Sequence, residues 1–130
     1  MADLRVLVSD PISELGVEAL QKAEGISVDV NTGLAREELL KIIGDYDGLV
    51  VRSQTKVTPE VFAAAPNLKV IGRAGVGVDN IDRSCATDNG VVVMNTPSGN
   101  TISTAEHAFI LMLSLARNIP QAHASMIALR

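Results

Sequence analysis

Lys69-Val-Ile-Gly-Arg-Ala-Gly-Val-Gly-Val-Asp-Asn-Ile-Asp82 runs from a short apolar segment into a glycine-rich loop and then into a helical start. A strand, a glycine loop and a helix in that order form a parallel α/β unit. They are also what a dinucleotide site requires, since loop amides and a helix N-terminus hold a pyrophosphate. The spacing departs from that site. Counted from Gly75, a G-x-G-x-x-G pattern finds Gly75 and Gly77 but meets Asn80 in the third place. About twenty residues on, where an acidic side chain would take the ribose hydroxyls, the next apolar segment ends in Met94-Asn95. The loop is expected to serve another ligand, or none.

Working outward, segments rich in Val, Ile and Leu stand at Arg5–Ser9, Ile26–Val30, Gly48–Val51, Leu68–Ile71 and Val91–Met94, each followed by a helical pattern. The first helix has Asp10 as a possible N-cap, Pro11 in its first turn, an apolar face of Ile12, Leu15, Ala19, Leu20 and Ala23, and Gly25 as a stop. Leu39, Leu40, Ile42 and Ile43 mark the second, before Gly44. Thr58-Pro59-Glu60 opens a short third one that ends at Pro66, and Asp79 or Asn80 caps a fourth that closes at Gly90. Strands apolar throughout are those buried on both faces, and alternation with helices gives parallel strands joined by right-handed crossovers. The expected fold is α/β: a five-stranded, doubly wound parallel sheet of flavodoxin-like kind.

The texture changes after Pro97. Ser98-Gly99-Asn100 reads as a turn, and Ser103-Thr-Ala-Glu106 as a capping box that starts a long apolar helix reaching about Arg117. A helix apolar on nearly every side must be covered all round, so this one is either simply the sheet's final helix or, as expected here, docks on a second subunit or another domain. The predicted organisation is a binding domain over 1–97, then a hinge and interface helix over 98–130.

Composition bounds the function. The 130 residues, 47% apolar and 20% charged, suit one globular domain with a packed core. A net charge of −4, from 11 basic and 15 acidic residues, leaves no basic footprint for nucleic acid or an anionic membrane. Two Phe, one Tyr and no Trp provide no base-stacking platform. The single Cys85 excludes an intrachain disulfide, and no signal-like segment opens the chain, so a cytoplasmic setting is expected. The longest apolar run, Ala108 to Leu113, is far shorter than the roughly 18 residues a membrane span needs.

Ligands of open parallel sheets sit beyond the carboxyl ends of the strands. That edge presents Ser9-Asp10, Asn31-Thr32, Arg52-Ser53-Gln54, Arg73 to Gly77 and Asn95-Thr96-Pro97. Arginine offers a planar fork to phosphate or carboxylate, and consecutive loop amides take a second oxyanion without side chains. Arg52 and Arg73, beside the amides of the glycine loop, therefore point to a small molecule with two negative ends. Taken singly, either arginine is as well explained by a surface ion pair. His107 and His123 lie far along the chain from this edge, no Cys/His metal spacing exists, and Ser53 has no neighbouring base to make it a nucleophile.

Val51-Arg-Ser-Gln-Thr-Lys-Val-Thr58, Leu68 to Asp82, Val93-Met-Asn-Thr-Pro97 and Gly99-Asn-Thr-Ile-Ser-Thr-Ala-Glu106 closely resemble the phosphoglycerate dehydrogenases of the D-2-hydroxyacid dehydrogenase family. The resemblance covers residues 4 to 126. It implies an oxidoreductase of serine biosynthesis that converts 3-phosphoglycerate to 3-phosphohydroxypyruvate with NAD. The chain corresponds to the N-terminal substrate-binding domain, with Arg52, Ser53 and Arg73 on the phosphate side, the amides of Val76 and Gly77 on the carboxylate, and Asn100 at the hinge. Gln54 stands where some members carry another arginine.

In that family the cofactor loop and the catalytic arginine, acid and histidine come later in the chain, so the implication is a fragment that is inactive alone and binds no NAD by itself. Self-association through the 103–117 helix is expected, without nucleic acid or membrane partners. The competing reading is a non-enzymatic module that binds an anionic metabolite or only dimerises. A receiver domain is excluded because Arg52 and Asn95 stand where it needs aspartate and lysine. A flavodoxin is excluded because Asp10-Pro-Ile-Ser13 is not a hydroxyl-rich phosphate loop.

Overall fold

The computed structural model describes residues 4–129 and divides into two compact units, Met1–Pro97 and Ser98–Arg130. In the first, five strands form one sheet: β1 (Leu4–Val8), β2 (Ile26–Val30), β3 (Gly48–Val51), β4 (Val70–Arg73) and β5 (Val92–Asn95). Their spatial order is β2-β1-β3-β4-β5, and every pairing is parallel. Between them lie helices α1 (Glu14–Gln21), α2 (Arg36–Ile42), α3 (Pro59–Ala64) and α4 (Arg83–Asp88), with a short 3-10 turn at Ile43–Asp45. A parallel pair cannot be closed by a hairpin, so each connection crosses over and all five strands end on the same side. The sequence placed these strands to within two residues.

The main core lies where α2, α3 and α4 meet one face of the sheet. Leu7, Leu49, Val51 and Ile71 from the strands pack with Leu39, Ile43, Val61, Phe62 and Ala86, all essentially removed from solvent. Each fully buried aliphatic side chain contributes about 2 kcal/mol, so this face dominates the fold's stability. Burial on both faces holds at β1, where Val8 on the other side is also fully buried. It does not hold at the edge: Val92 and Met94 of β5 are 58% and 56% exposed. Strands that look equally apolar in sequence therefore differ by their place in the sheet.

Helix starts differ from expectation. Ser13, not Asp10, caps α1, its hydroxyl accepting from Gly16 N–H at 3.3 Å. No residue of the predicted apolar face of α1 is fully buried: Ile12, Leu20 and Ala23 are half-buried, and Leu15 is 77% exposed. Asp82, not Asp79 or Asn80, caps α4 by accepting from Cys85 N–H at 2.9 Å.

The second unit corrects the expectation of one long apolar helix. It consists of α5 (Thr101–Ala116) and α6 (Ile119–Ala128). Asn118 between them takes the left-handed conformation at φ 51°, which no helix can continue through, and Pro120 in the first turn of α6 has no N–H to give back to α5. Asn100 is the N-cap residue of α5, so Ser103 lies inside the helix and forms no capping box; its hydroxyl donates to the Asn100 carbonyl at 3.1 Å. Among the described residues no helix is long and apolar enough to cross a membrane.

Candidate functional site

The carboxyl edge of the sheet brings two loops together. Val51 of β3 pairs in register with Arg73 of β4, and the Ala74 N–H donates to the Val51 carbonyl at 2.8 Å. The segment that begins at Arg52 and the one that follows Arg73 thus leave adjacent strands side by side. Neither arginine has a carboxylate partner among the described residues, which removes the surface ion pair as an explanation of both.

The Arg52–Thr55 loop is fixed from two sides. On one side stands Asp10, 1% exposed, just past β1. Its carboxylate accepts from the N–H groups of Arg52 at 2.7 Å and of Gln54 and Thr55 at 3.1 Å, and from the Thr55 hydroxyl at 2.5 Å. Burial alone would push the Asp10 carboxyl up. The Thr55 hydroxyl and the three amides outweigh that and hold it below the usual aspartate value. On the other side Asn80 donates through Nδ2 to the carbonyls of Arg52 at 2.8 Å and Thr55 at 2.7 Å. Three of the loop's four amides are engaged inward, so recognition of an anion here falls to side chains and the Ser53 N–H. Arg52 Nη1 reaches the Pro11 carbonyl at 3.5 Å, and with Ser53 and Gln54 it borders a small cleft of about 130 Å³.

The glycine loop is built differently. The Arg73 guanidinium lies directly against Gly75, where a Cβ would overlap it, and its buried Nε has no partner. A Cβ on Gly77 would sit 2.8 Å from the Asp79 carboxylate and 3.9 Å from Arg73 Nη1. Glycine is needed here for close approach. The Val76 carbonyl accepts from Asn95 Nδ2 at 2.7 Å, which steadies the loop. The N–H groups of Val76 and Gly77 have no intramolecular partner among the described residues, and both residues are exposed.

Of the predicted site residues, Arg52, Ser53, Arg73, Val76 and Gly77 share this edge. Asn100 belongs to the second unit, where its carbonyl accepts from Thr104 N–H at 2.9 Å. The sequence reading missed Asp10 and Asn80 as site residues, treating one as a helix cap and the other as a failed third glycine. For Asp10 the available signal was position, a polar residue just past an apolar strand on the ligand-bearing edge; Asn80, deep in the loop after β4, carried no such signal.

The loop does not fit a dinucleotide. Asn80 occupies the place of the third glycine with its amide committed to Arg52 and Thr55, and the Asp82 carboxylate already caps α4 where a pyrophosphate would need the helix N-terminus. Among the described residues no three His, Cys, Asp or Glu side chains gather as a metal site.

The family described as "D-isomer specific 2-hydroxyacid dehydrogenase, catalytic domain" matches residues 6–128. The chain is 58% identical over 123 residues to a D-3-phosphoglycerate dehydrogenase of Archaeoglobus fulgidus, covering 95% of this chain and 23% of that protein. It is 54% identical to the protein of the same name from Methanocaldococcus jannaschii, covering 95% of this chain and 23% of the relative. The fold matches the NAD+-bound 3-phosphoglycerate dehydrogenase of Entamoeba histolytica with a TM-score of 0.73 and 32% identity, over 87% of this chain and 39% of that structure. The chain thus spans about a quarter of the length of these curated relatives.

Proposed function

We propose, from the premise that this chain belongs to the D-isomer specific 2-hydroxyacid dehydrogenase family, that it is the substrate-binding part of a D-3-phosphoglycerate dehydrogenase. The observation that carries the proposal is the edge itself: two arginines without carboxylate partners among the described residues on adjacent strand ends, beside two amides with no partner among them, in a chain of net charge −4. 3-Phosphoglycerate carries a phosphate and a carboxylate, one for each half of that edge. In this reading Arg52 and Ser53 hold the phosphate with Arg73 nearby, the Val76 and Gly77 amides hold the carboxylate, and Asn100 serves the hinge.

The strand order 2-1-3-4-5 is that of flavodoxin-like sheets, which bind ligands at this end. Oxidation of the substrate hydroxyl requires a nicotinamide to accept the hydride. The glycine loop does not fit a dinucleotide, so in this reading the part of the chain is to bind and orient the substrate, and the chain alone is expected to be inactive.

Titrating the chain with 3-phosphoglycerate, read by calorimetry or NMR, tests this. Saturable binding weakened about tenfold by Arg52→Ala and by Arg73→Ala is expected, since a charge-assisted contact is worth about 1.5–3 kcal/mol, and NAD alone should give no heat. Binding indifferent to both substitutions overturns the assignment.

A separate observation favours self-association. In the second unit Phe109, Leu115, Met126 and Leu129 are 58%, 75%, 67% and 82% exposed, and apolar surface on that scale seeks a partner. Sedimentation should show a dimer or larger species that Phe109→Asp and Leu115→Asp convert to monomer.

A further inference from the structure

A cavity of about 420 Å³ opens on the far side of the Arg52–Thr55 loop, bounded by the segment after β2 and the start of α2. It shares only Gln54 with the Arg52–Ser53 cleft and contains neither arginine of the candidate site. Leu34 and the buried Leu39 supply an apolar wall. Volumes of 300–1,000 Å³ with apolar walls and few polar groups are typical of small-molecule sites.

Several of its polar members are already engaged. Asp10 is held by the loop amides, Ser9 and Thr55 share a hydrogen bond of 3.0 Å between their hydroxyls, and Arg36 is paired with Glu60. The Gln54 side chain, Lys56 and Thr58 remain. Lys56 has no carboxylate partner among the described residues, and the Thr58 hydroxyl is buried without one, since it makes no capping bond to α3. Unpaired buried polar groups are rare enough to call for a partner.

One free cation beside an apolar wall suits a different ligand from the one proposed for the arginine edge. A doubly anionic phosphate-carboxylate would leave one charge unmatched here and gain nothing from Leu34 and Leu39. We propose that this cavity is a second small-molecule site, which takes a monocarboxylate on an apolar body, with the carboxylate on Lys56 and the body against Leu34 and Leu39. The inference stands on this cavity alone and does not depend on the function proposed above.

The test is NMR titration of the ¹⁵N-labelled chain with 4-phenylbutyrate and, in parallel, its uncharged amide. The expected result is saturable shifts at the amides of Leu34, Thr55 and Lys56, with binding about tenfold weaker for the uncharged analogue and for Lys56→Met, which keeps the apolar stem but loses the charge. Arg52→Ala should leave this titration unchanged. The absence of saturable shifts up to about 10 mM, equal response to acid and amide, or loss of binding on Arg52→Ala with Lys56→Met unaffected would each overturn the proposal.

Discussion

The two loops at the carboxyl edge solve one problem by opposite means. In the Arg52–Thr55 loop most of the main chain is engaged: Asp10 takes three of its four amides and Asn80 supplies both hydrogens of its amide to two carbonyls. Side chains and the Ser53 N–H are left to meet a ligand. In the loop after Arg73 the side chains are small or absent, and the Val76 and Gly77 amides have no partner among the described residues. A rigid loop that presents a guanidinium next to a bare loop that presents N–H groups gives two anion subsites of different geometry. That difference suits a ligand whose two ends are chemically distinct.

Removing the support of the first loop should break this comparison most severely. Asp10→Ala strands three inward amides and a hydroxyl in a buried place, so a loss of about 3 kcal/mol in unfolding free energy is expected by denaturant titration. The same carboxylate predicts the acid response. Its folded pKa is depressed, so its contribution is complete above the unfolded value of about 4 and is lost as pH falls through the lower folded value. Stability of the wild type should therefore drop below about pH 4 more steeply than that of Asp10→Ala. Parallel acid curves for the two proteins would show that Asp10 is not the group responsible.

Asn80→Gly comes next. It completes a G-x-G-x-x-G spelling while deleting the donors to Arg52 and Thr55. If the loop were a disabled dinucleotide site, the substitution would restore affinity for NAD. The hydrogen bonds argue otherwise: NAD should still not bind, and stability should fall by about 1–2 kcal/mol as two carbonyls lose their partners. Anion affinity should fall with it, because Arg52 is carried by the loop that loosens.

These two residues also mark the limit of what could be read without coordinates. The strands were legible because β1, β3 and β4 are apolar in short runs that only a covered parallel sheet explains, and the edge that bears Arg52 and Arg73 followed from their ends. Asp10 was misread because Asp-Pro is also a helix-start signal, and only a partner 42 residues away, the Arg52 amide, decides between the two roles. Asn80 has the same difficulty, with its acceptor 28 residues away at the Arg52 carbonyl. The reading ended its apolar helix near Arg117, close to the observed end of α5 at Ala116, but left α6 unread, because Arg117-Asn118 and Pro120 read as a stop while Asn118 in fact turns the chain into a second helix.

The smallest effect tests whether burial, not mere contact, gives Asp10 its weight. Asp47 is superficially similar: its carboxylate accepts from Lys69 Nζ at 2.7 Å and from the Arg5 N–H at 3.0 Å, and Lys69 above all holds it below the usual aspartate value. Yet the Lys69 side chain is 65% exposed, and water competes for both partners. Pairs of that kind contribute little. Lys69→Met should leave the denaturation midpoint where it is at moderate salt, with any difference confined to low ionic strength, where screening is weak. A midpoint shift as large as that of Asp10→Ala would mean that depth of burial is not what separates the two carboxylates, and that the edge of the sheet near Asp47 is held as tightly as the ligand-bearing loop.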